Sequence, residues 1–224
     1  IQEKIEIEDL IAVHHAFAEK ETDAAESSFL KGTIFSLKDY PEAAIDSFNY
    51  SLSITPDCAE AHYNIGRIQR KIGKFDAAIC SYSKAIKIQP DFIVAILGMA
   101  NALHDNGCPD AALEKCEQII STKYEDAAAH LLMAVILSEK EENERALESF
   151  QKSIKIDPNH APAHHNLGNH LKGNLDFNAA IDSYGEAIRI SPHSPDSYNN
   201  RGNSLRDIGK LDEAIKSFEQ AIKF

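Results

Sequence analysis

Residues 59–92 carry two successive runs in which apolar and polar residues alternate at the spacing of an amphipathic helix. Gly73 separates the two runs and can take the left-handed backbone conformation that ends a helix. Pro90 closes the second run, because proline fixes φ and has no N–H with which to continue the helix. The stretch therefore predicts two helices joined by a tight turn, which is a helical hairpin.

The hairpin pattern recurs with a period of 34 residues and without a single insertion or deletion. An alanine of the second helix returns at each step: Ala44, Ala78, Ala112, Ala146, Ala180 and Ala214. The place of Gly66 holds glycine or alanine in every unit, and the place of Tyr82 holds an aromatic residue except at Cys116. Small residues let the two helices of a unit cross closely, and the aromatic ring fills the space beside them. The recurrence predicts six units, at residues 25–58, 59–92, 93–126, 127–160, 161–194 and 195–224, the last four places of the sixth being absent.

Eight residues of the second unit occupy the places of a W-x2-L-G-x2-Y, A-x3-F and P signature: His62, Ile65, Gly66, Gln69, Ala78, Tyr82, Ala85 and Pro90. This signature resembles the tetratricopeptide repeat, and the resemblance covers residues 25–224. It implies an all-α, right-handed α-solenoid of stacked helical hairpins. By the same resemblance, the concave groove of the solenoid is expected to bind another protein, or an extended or helical peptide.

The segment 1–24 precedes the six units and places Ile7, Leu10 and Ile11 at helical spacing. It predicts one N-terminal amphipathic helix, for which two interpretations remain. Stepping back 34 residues from Ala44 reaches Leu10, so the helix could be the second half of a degenerate earlier repeat. The other interpretation is a helix that folds back into the groove.

The charge of the chain argues against two classes of partner. Its 224 residues carry a net charge of −12, with a pI near 5.2. Nucleic acids and anionic membranes bind mainly through clustered Lys and Arg. We therefore expect neither nucleic acid nor a membrane as a partner.

Four cysteines, Cys58, Cys80, Cys108 and Cys116, form no C-x-x-C pair. Free thiols in a reducing compartment are the simplest interpretation. The sequence also lacks an apolar run of the roughly 18 residues that a membrane span needs. These features predict a soluble, cytoplasmic protein.

Ten histidines raise the question of a metal site, and the densest group is His160, His164, His165 and His170. His164 occupies the aromatic place of its unit, so we expect it to pack between helices rather than to ligate. The sequence contains no Gly-rich phosphate loop, no G-x-S-x-G and no H-E-x-x-H. The expectation is a protein without catalytic residues, cofactor or metal.

The resemblance further implies that places 2, 5, 6, 9, 12 and 13 of each first helix line the groove. The binding residues it indicates are Tyr63, Asn64, Arg67, Val94, Leu97, Asn101, Leu131, Leu132, Val135, His165, Asn166, Asn169, Asn200 and Asn203. Arg67 belongs to a predicted basic spot with Arg70 and Lys71. The third and fourth units contribute mainly aliphatic residues, which we expect to be the energetic centre of binding.

Two known variations of the groove can be compared with these residues. The dicarboxylate clamp that holds a peptide C-terminus is not supplied by any three consecutive units. Asn64, Asn166 and Asn200 are similar to part of the asparagine ladder of O-linked N-acetylglucosamine transferase repeats, which holds a peptide backbone. Gly98 and Leu132 interrupt that ladder.

The sequence thus predicts a non-catalytic scaffold that binds protein or peptide. One alternative is the substrate-recruiting arm of a larger enzyme, a glycosyltransferase or methyltransferase with its catalytic domain outside this chain. Another is a homo-oligomeric scaffold. Ile215, Phe218 and Ile222 form an apolar stripe on the last helix, which ends before the usual proline. We expect the chain to be a fragment and this C-terminal edge to self-associate at high concentration.

Overall fold

The computed structural model describes residues 24–122 and 125–224, which form twelve α-helices and no strand. The helices are α1 Ala24–Leu37, α2 Pro41–Ile54, α3 Ala59–Lys71, α4 Phe75–Ile88, α5 Ile93–Asp105, α6 Pro109–Ile120, α7 Ala127–Glu139, α8 Asn143–Ile156, α9 Ala161–Gly173, α10 Phe177–Ile190, α11 Pro195–Asp207 and α12 Leu211–Lys223. The prediction of an all-α helical-repeat fold is confirmed. The helix predicted within 1–24 lies outside the described residues, except that α1 begins at Ala24.

Neighbouring helices pair as antiparallel hairpins, with α1 packed on α2, α3 on α4, α7 on α8, α9 on α10 and α11 on α12. The same turn conformation joins the two helices of all six predicted units. Each turn contains one residue with a positive φ. In three turns it is a glycine, with φ between +75° and +79°: Gly73, Gly107 and Gly209. In the other three turns φ is between +61° and +64°, at Asp39, Glu141 and Leu175. A left-handed residue at this place ends the first helix, as expected for Gly73.

Packing divides the described residues into two compact units, each larger than one repeat: the first ends at Lys115 and the second begins at Cys116. In the first unit, Phe48 and Ile65 centre one apolar cluster, and Tyr82 centres a second with flanking alanines. In the second unit, Phe150 and Tyr184 are fully enclosed. The six alanines at the 34-residue spacing are at most 2% exposed, so the period marks the buried face of the second helices.

An aromatic ring lies directly against the small residue of the partner helix in each hairpin that has a glycine there. A Cβ added to Gly66 would lie 3.0 Å from the Tyr82 ring, and one added to Gly168 would lie 2.6 Å from the Tyr184 ring. The same holds for Gly32 against Phe48 and for Gly202 against Phe218, at 2.9 and 2.7 Å. The expected close crossing of the two helices is confirmed, and it depends on the missing side chain.

Gly168→Ala should therefore lower the free energy of unfolding, by about 1–3 kcal/mol, because the new methyl group overpacks the Tyr184 ring. Gly185→Ala, in the interior of α10, is the matched control, since a Cβ there meets nothing within 4 Å. The control should raise stability by about 0.5–1 kcal/mol through helix propensity. Urea unfolding followed by circular dichroism measures both, and equal effects of the two substitutions would contradict the packing argument.

Candidate functional site

In the first unit, the predicted residues Tyr63, Asn64 and Arg67 lie on one side of α3. The Tyr63 ring packs 5.9 Å from the centre of Tyr82 and 5.4 Å from that of Phe92, so it belongs partly to the core. Asn64 Nδ2 donates to the carbonyl of Glu60 at 2.9 Å. Arg67 Nη2 lies 3.4 Å from Asn64 Oδ1, which accepts from it.

The predicted basic spot is smaller than the sequence suggested. Arg70 pairs with Asp105 at 2.6 Å, and Lys71 pairs with Asp39 at 2.7 Å. Of the three cations, Arg67 is the one for which residues 24–122 and 125–224 provide no carboxylate partner within salt-bridge distance. Its other contact is the hydroxyl of Ser36, at 3.4 Å. These side chains line a cleft of about 620 Å³, which we call the first-unit cleft: Ser36, Leu37, Arg67, Ile68, Arg70, Lys71, Gly73, Phe75 and Asp105.

Helix α5 carries the remaining predicted residues of the first unit. Val94 is 48% exposed, whereas Leu97 and Asn101 are half-buried. Asn101 Nδ2 donates to the carbonyl of Leu97 at 2.9 Å, which repeats the hydrogen bond of Asn64 to its own helix. Such a bond fixes the direction of the side chain while leaving its amide oxygen available.

In the second unit, α7 presents its predicted aliphatic residues unequally. Leu131 and Val135 are half-buried, but Leu132 is only 8% exposed. Leu132 therefore offers a ligand little surface, because most of its side chain is already covered by its own unit. Leu131 and Val135 retain accessible apolar area.

Amide side chains on α9 and α11 are held in a fixed arrangement. Asn169 Oδ1 accepts from the Tyr184 hydroxyl at 2.8 Å and from Asn200 Nδ2 at 3.0 Å. Asn166 Nδ2 donates to the carbonyl of Pro162 at 3.0 Å. Asn203 is half-buried on the same helix as Asn200. Asn169 and Asn200 are thus hydrogen-bonded to each other, and Asn166 is hydrogen-bonded to the backbone of its own helix.

Three predicted residues, Val135, Asn166 and Asn169, line one cavity of about 620 Å³, which we call the α7–α9 cleft. Its other lining residues are Ser138, Glu139, Glu141, Asn143, Phe150, His170, Gly173 and Asn174. Most of these were missed by sequence reasoning, which considered fixed places on the first helices alone. Residues of the turns and of the start of α8 complete the cleft.

His170 forms the floor of this cleft and is 7% exposed. Its Nδ1 lies 2.7 Å from Ser138 Oγ, and its Nε2 lies 3.2 Å from Asn174 Nδ2, so both ring nitrogens have a hydrogen-bond partner. The ring centre is 5.6 Å from that of Phe150. Burial lowers the pKa of His170, which favours the neutral imidazole.

The other histidines of the group serve packing. His164 is 9% exposed, and its Nε2 lies 3.1 Å from the carbonyl oxygen of Pro158, as the packing interpretation expects. His165 Nδ1 lies 2.8 Å from Ser197 Oγ, and its ring packs edge-on 5.7 Å from Tyr184. Within residues 24–122 and 125–224, no group of three or more His, Cys, Asp and Glu is arranged to hold a metal.

Comparison with known proteins agrees with this architecture. Tetratricopeptide repeat profiles match residues 59–92 and 195–224, and a second profile of the same repeat matches 127–160. Tetratricopeptide repeats are therefore detected in three of the six predicted units. No curated protein matches the chain by sequence. In the described part of the chain, no helix combines the length and apolarity that crossing a membrane requires.

Solved structures share the fold. The crystal structure of MamA is 27% identical, with a TM-score of 0.61 over 71% of this chain and 93% of its own. Cut9-Hcn1 of the APC/C is 17% identical, with a TM-score of 0.82 over 97% of this chain and 43% of its own. YrrB, described as a TPR protein with an unusual peptide-binding site, is 17% identical, with a TM-score of 0.56 over 80% of this chain and 93% of its own.

Three histidines, two of them buried and one half-buried, should make the stability of the protein depend on pH. Burial lowers the pKa of His130, His165 and His170 from an ordinary value of 6.5, so below that pH the unfolded chain binds more protons than the folded one. The free energy of unfolding should therefore fall as the pH is lowered from about 7.5 to 5.5. Urea unfolding at both pH values tests this, and His170→Gln should reduce the difference between them. Unchanged or greater stability at the lower pH would contradict the expectation.

Proposed function

We propose that this protein is a non-catalytic scaffold whose first helices bind an extended segment of another protein. The observation that carries the proposal is the α7–α9 cleft, where Val135, Asn166 and Asn169 from two first helices border one cavity of about 620 Å³. Its volume lies within the roughly 300–1,000 Å³ of known ligand pockets, so it can admit part of a peptide. The tetratricopeptide repeats detected in the chain support a protein-binding role.

Asparagine side chains are suited to hold a peptide backbone, because an amide both donates and accepts hydrogen bonds. Asn166 Nδ2 is engaged by Pro162, and its Oδ1 accepts no hydrogen bond from the described residues, which leaves it for a peptide N–H. Asn169 has the opposite arrangement, since its Oδ1 is occupied twice and its Nδ2 remains to donate. Fixing both side chains before binding reduces the entropy lost on association.

The aliphatic residues of α7 supply the apolar part of the contact. Leu131 and Val135 are half-buried, so a ligand can cover the remainder of each side chain. Burial of apolar area contributes about 25 cal/mol per Å². Backbone recognition by the asparagines then sets the register, in the manner of the asparagine ladder, and the apolar contacts supply affinity.

One related role would use the same surface. Recruitment of substrate to a catalytic domain elsewhere in a longer chain needs this binding site and no additional chemistry.

Self-association through α12 is supported by its apolar side chains Leu211, Ile215 and Ile222, which are 59%, 55% and 86% exposed. Sedimentation at increasing concentration tests it. We keep the cytoplasm as the expected compartment, since Cys80 and Cys108 are exposed free thiols.

The test uses peptides selected on the intact chain from a phage-displayed library of random sequences. Asn166→Ala should weaken several selected peptides of different sequence by similar factors, about three- to tenfold, because one backbone hydrogen bond is lost. Fluorescence polarisation of labelled peptides measures the affinity.

Asn178→Ala is the matched control, since Asn178 is exposed on the second helix α10 and lies outside the cleft. It should leave every affinity unchanged. An effect of Asn166→Ala confined to one peptide sequence, or an equal effect of Asn178→Ala, would contradict backbone recognition at this site.

A further inference from the structure

We infer that the α7–α9 cleft receives the side chain of a Lys or Arg residue of the bound peptide. This inference rests on the proposed function and adds to it the chemistry of the residue that the cleft selects. Four features of the cleft carry it: the sign of its charge, its apolar wall, an amide oxygen with only one long contact, and its contrast with the first-unit cleft.

The charged residues lining the α7–α9 cleft are Glu139 and Glu141, and neither Lys nor Arg is among the lining residues. Glu141 is the left-handed residue of the turn between α7 and α8, with φ of +61°, so the turn itself fixes its position beside the cleft. The Glu141 carboxylate therefore favours a cation in the cleft.

The remaining walls suit the long stem that carries such a cation. Val135 is half-buried and provides apolar surface in the cleft, and the lining also includes the largely enclosed rings of Phe150 and His170. Lys and Arg side chains pack their methylene groups along apolar surface while their charged ends stay near polar partners. Burial lowers the pKa of His170 and so favours its neutral form, which does not repel a cation.

Hydrogen-bond acceptors for the charged end are also in place. Asn143 Oδ1 receives only the long contact of 3.4 Å from Asn174 Nδ2. An ammonium or guanidinium group has donors alone, so a site that presents carboxylate and amide oxygens matches it.

The first-unit cleft provides an internal contrast. It has the same volume, about 620 Å³, but its lining includes Arg67, for which the described residues provide no carboxylate partner, beside the paired cations Arg70 and Lys71. A basic side chain is repelled there, whereas it is attracted to the α7–α9 cleft. The preference for a cation is therefore specific to one cleft and does not simply follow from the net negative charge of the chain.

The first experiment uses the peptides selected from the random library on the intact chain. Lys or Arg should be enriched at one fixed position of the aligned peptides. Replacing that residue by norleucine, which keeps the stem of Lys and removes its charge, should weaken binding about fivefold at low salt, and less at high salt.

The second experiment assigns the effect to the cleft. Glu141→Gln should weaken the basic peptide about fivefold and leave the norleucine peptide unchanged, so the two changes are coupled. Glu144→Gln, an equal change of charge at an exposed residue of α8 outside the cleft, should affect both peptides alike. Circular dichroism spectra check that each variant is folded.

The outcomes separate the two proposals. Binders without a basic position, or a basic position that is uncoupled from Glu141, overturn the cation site and leave the peptide-binding function standing. A library that yields no binder overturns the proposed function, and the cation site with it.

Discussion

The close crossing of two helices beneath an aromatic ring is the constraint on which the four hairpins with a glycine at this place depend. Where the first helix has glycine, a Cβ would lie within 3.0 Å of the ring, so the helices could not approach as they do. This contact determines which face of the first helix is turned inward. The faces carrying Asn64 in the first unit and Asn166 in the second are left for solvent or a ligand, because Gly66 and Gly168 are directed to the ring.

The same aromatic residues connect the core to the binding face. The Tyr184 ring covers Gly168, while its hydroxyl donates to Asn169 Oδ1. Asn169 in turn accepts from Asn200 on the next first helix. Phe150 has no hydroxyl and instead forms part of the α7–α9 cleft beside His170. A change from Tyr to Phe at this repeated place therefore alters the binding face as well as the core.

Periodicity accounts for most of what could be predicted from sequence. The 34-residue spacing located the buried alanines, the glycines under the rings and the buried His164, because each of these depends on places within one repeat. The ion pairs of Arg70 with Asp105 and of Lys71 with Asp39 could not be predicted in this way. They join side chains of neighbouring repeats, and their formation depends on rotamers that a pattern does not contain.

The α7–α9 cleft shows the same limit. Val135, Asn166 and Asn169 were expected from their places on first helices, but Glu141, Asn143 and Asn174 come from helix ends whose direction is set by the turn. The chemistry of the cleft was therefore not visible in the first helices alone. Its charge depends on turn residues, which can vary without altering the helical pattern.

Photo-crosslinking tests most directly whether the first helices form the binding face. A selected peptide that carries a diazirine residue near its centre would be irradiated with the intact chain, and mass spectrometry would locate the attachment sites. We predict attachment to the first helices of the second unit, α7, α9 and α11, and above all to residues of the α7–α9 cleft. Attachment confined to the second helices α8, α10 and α12 would contradict the proposed binding face.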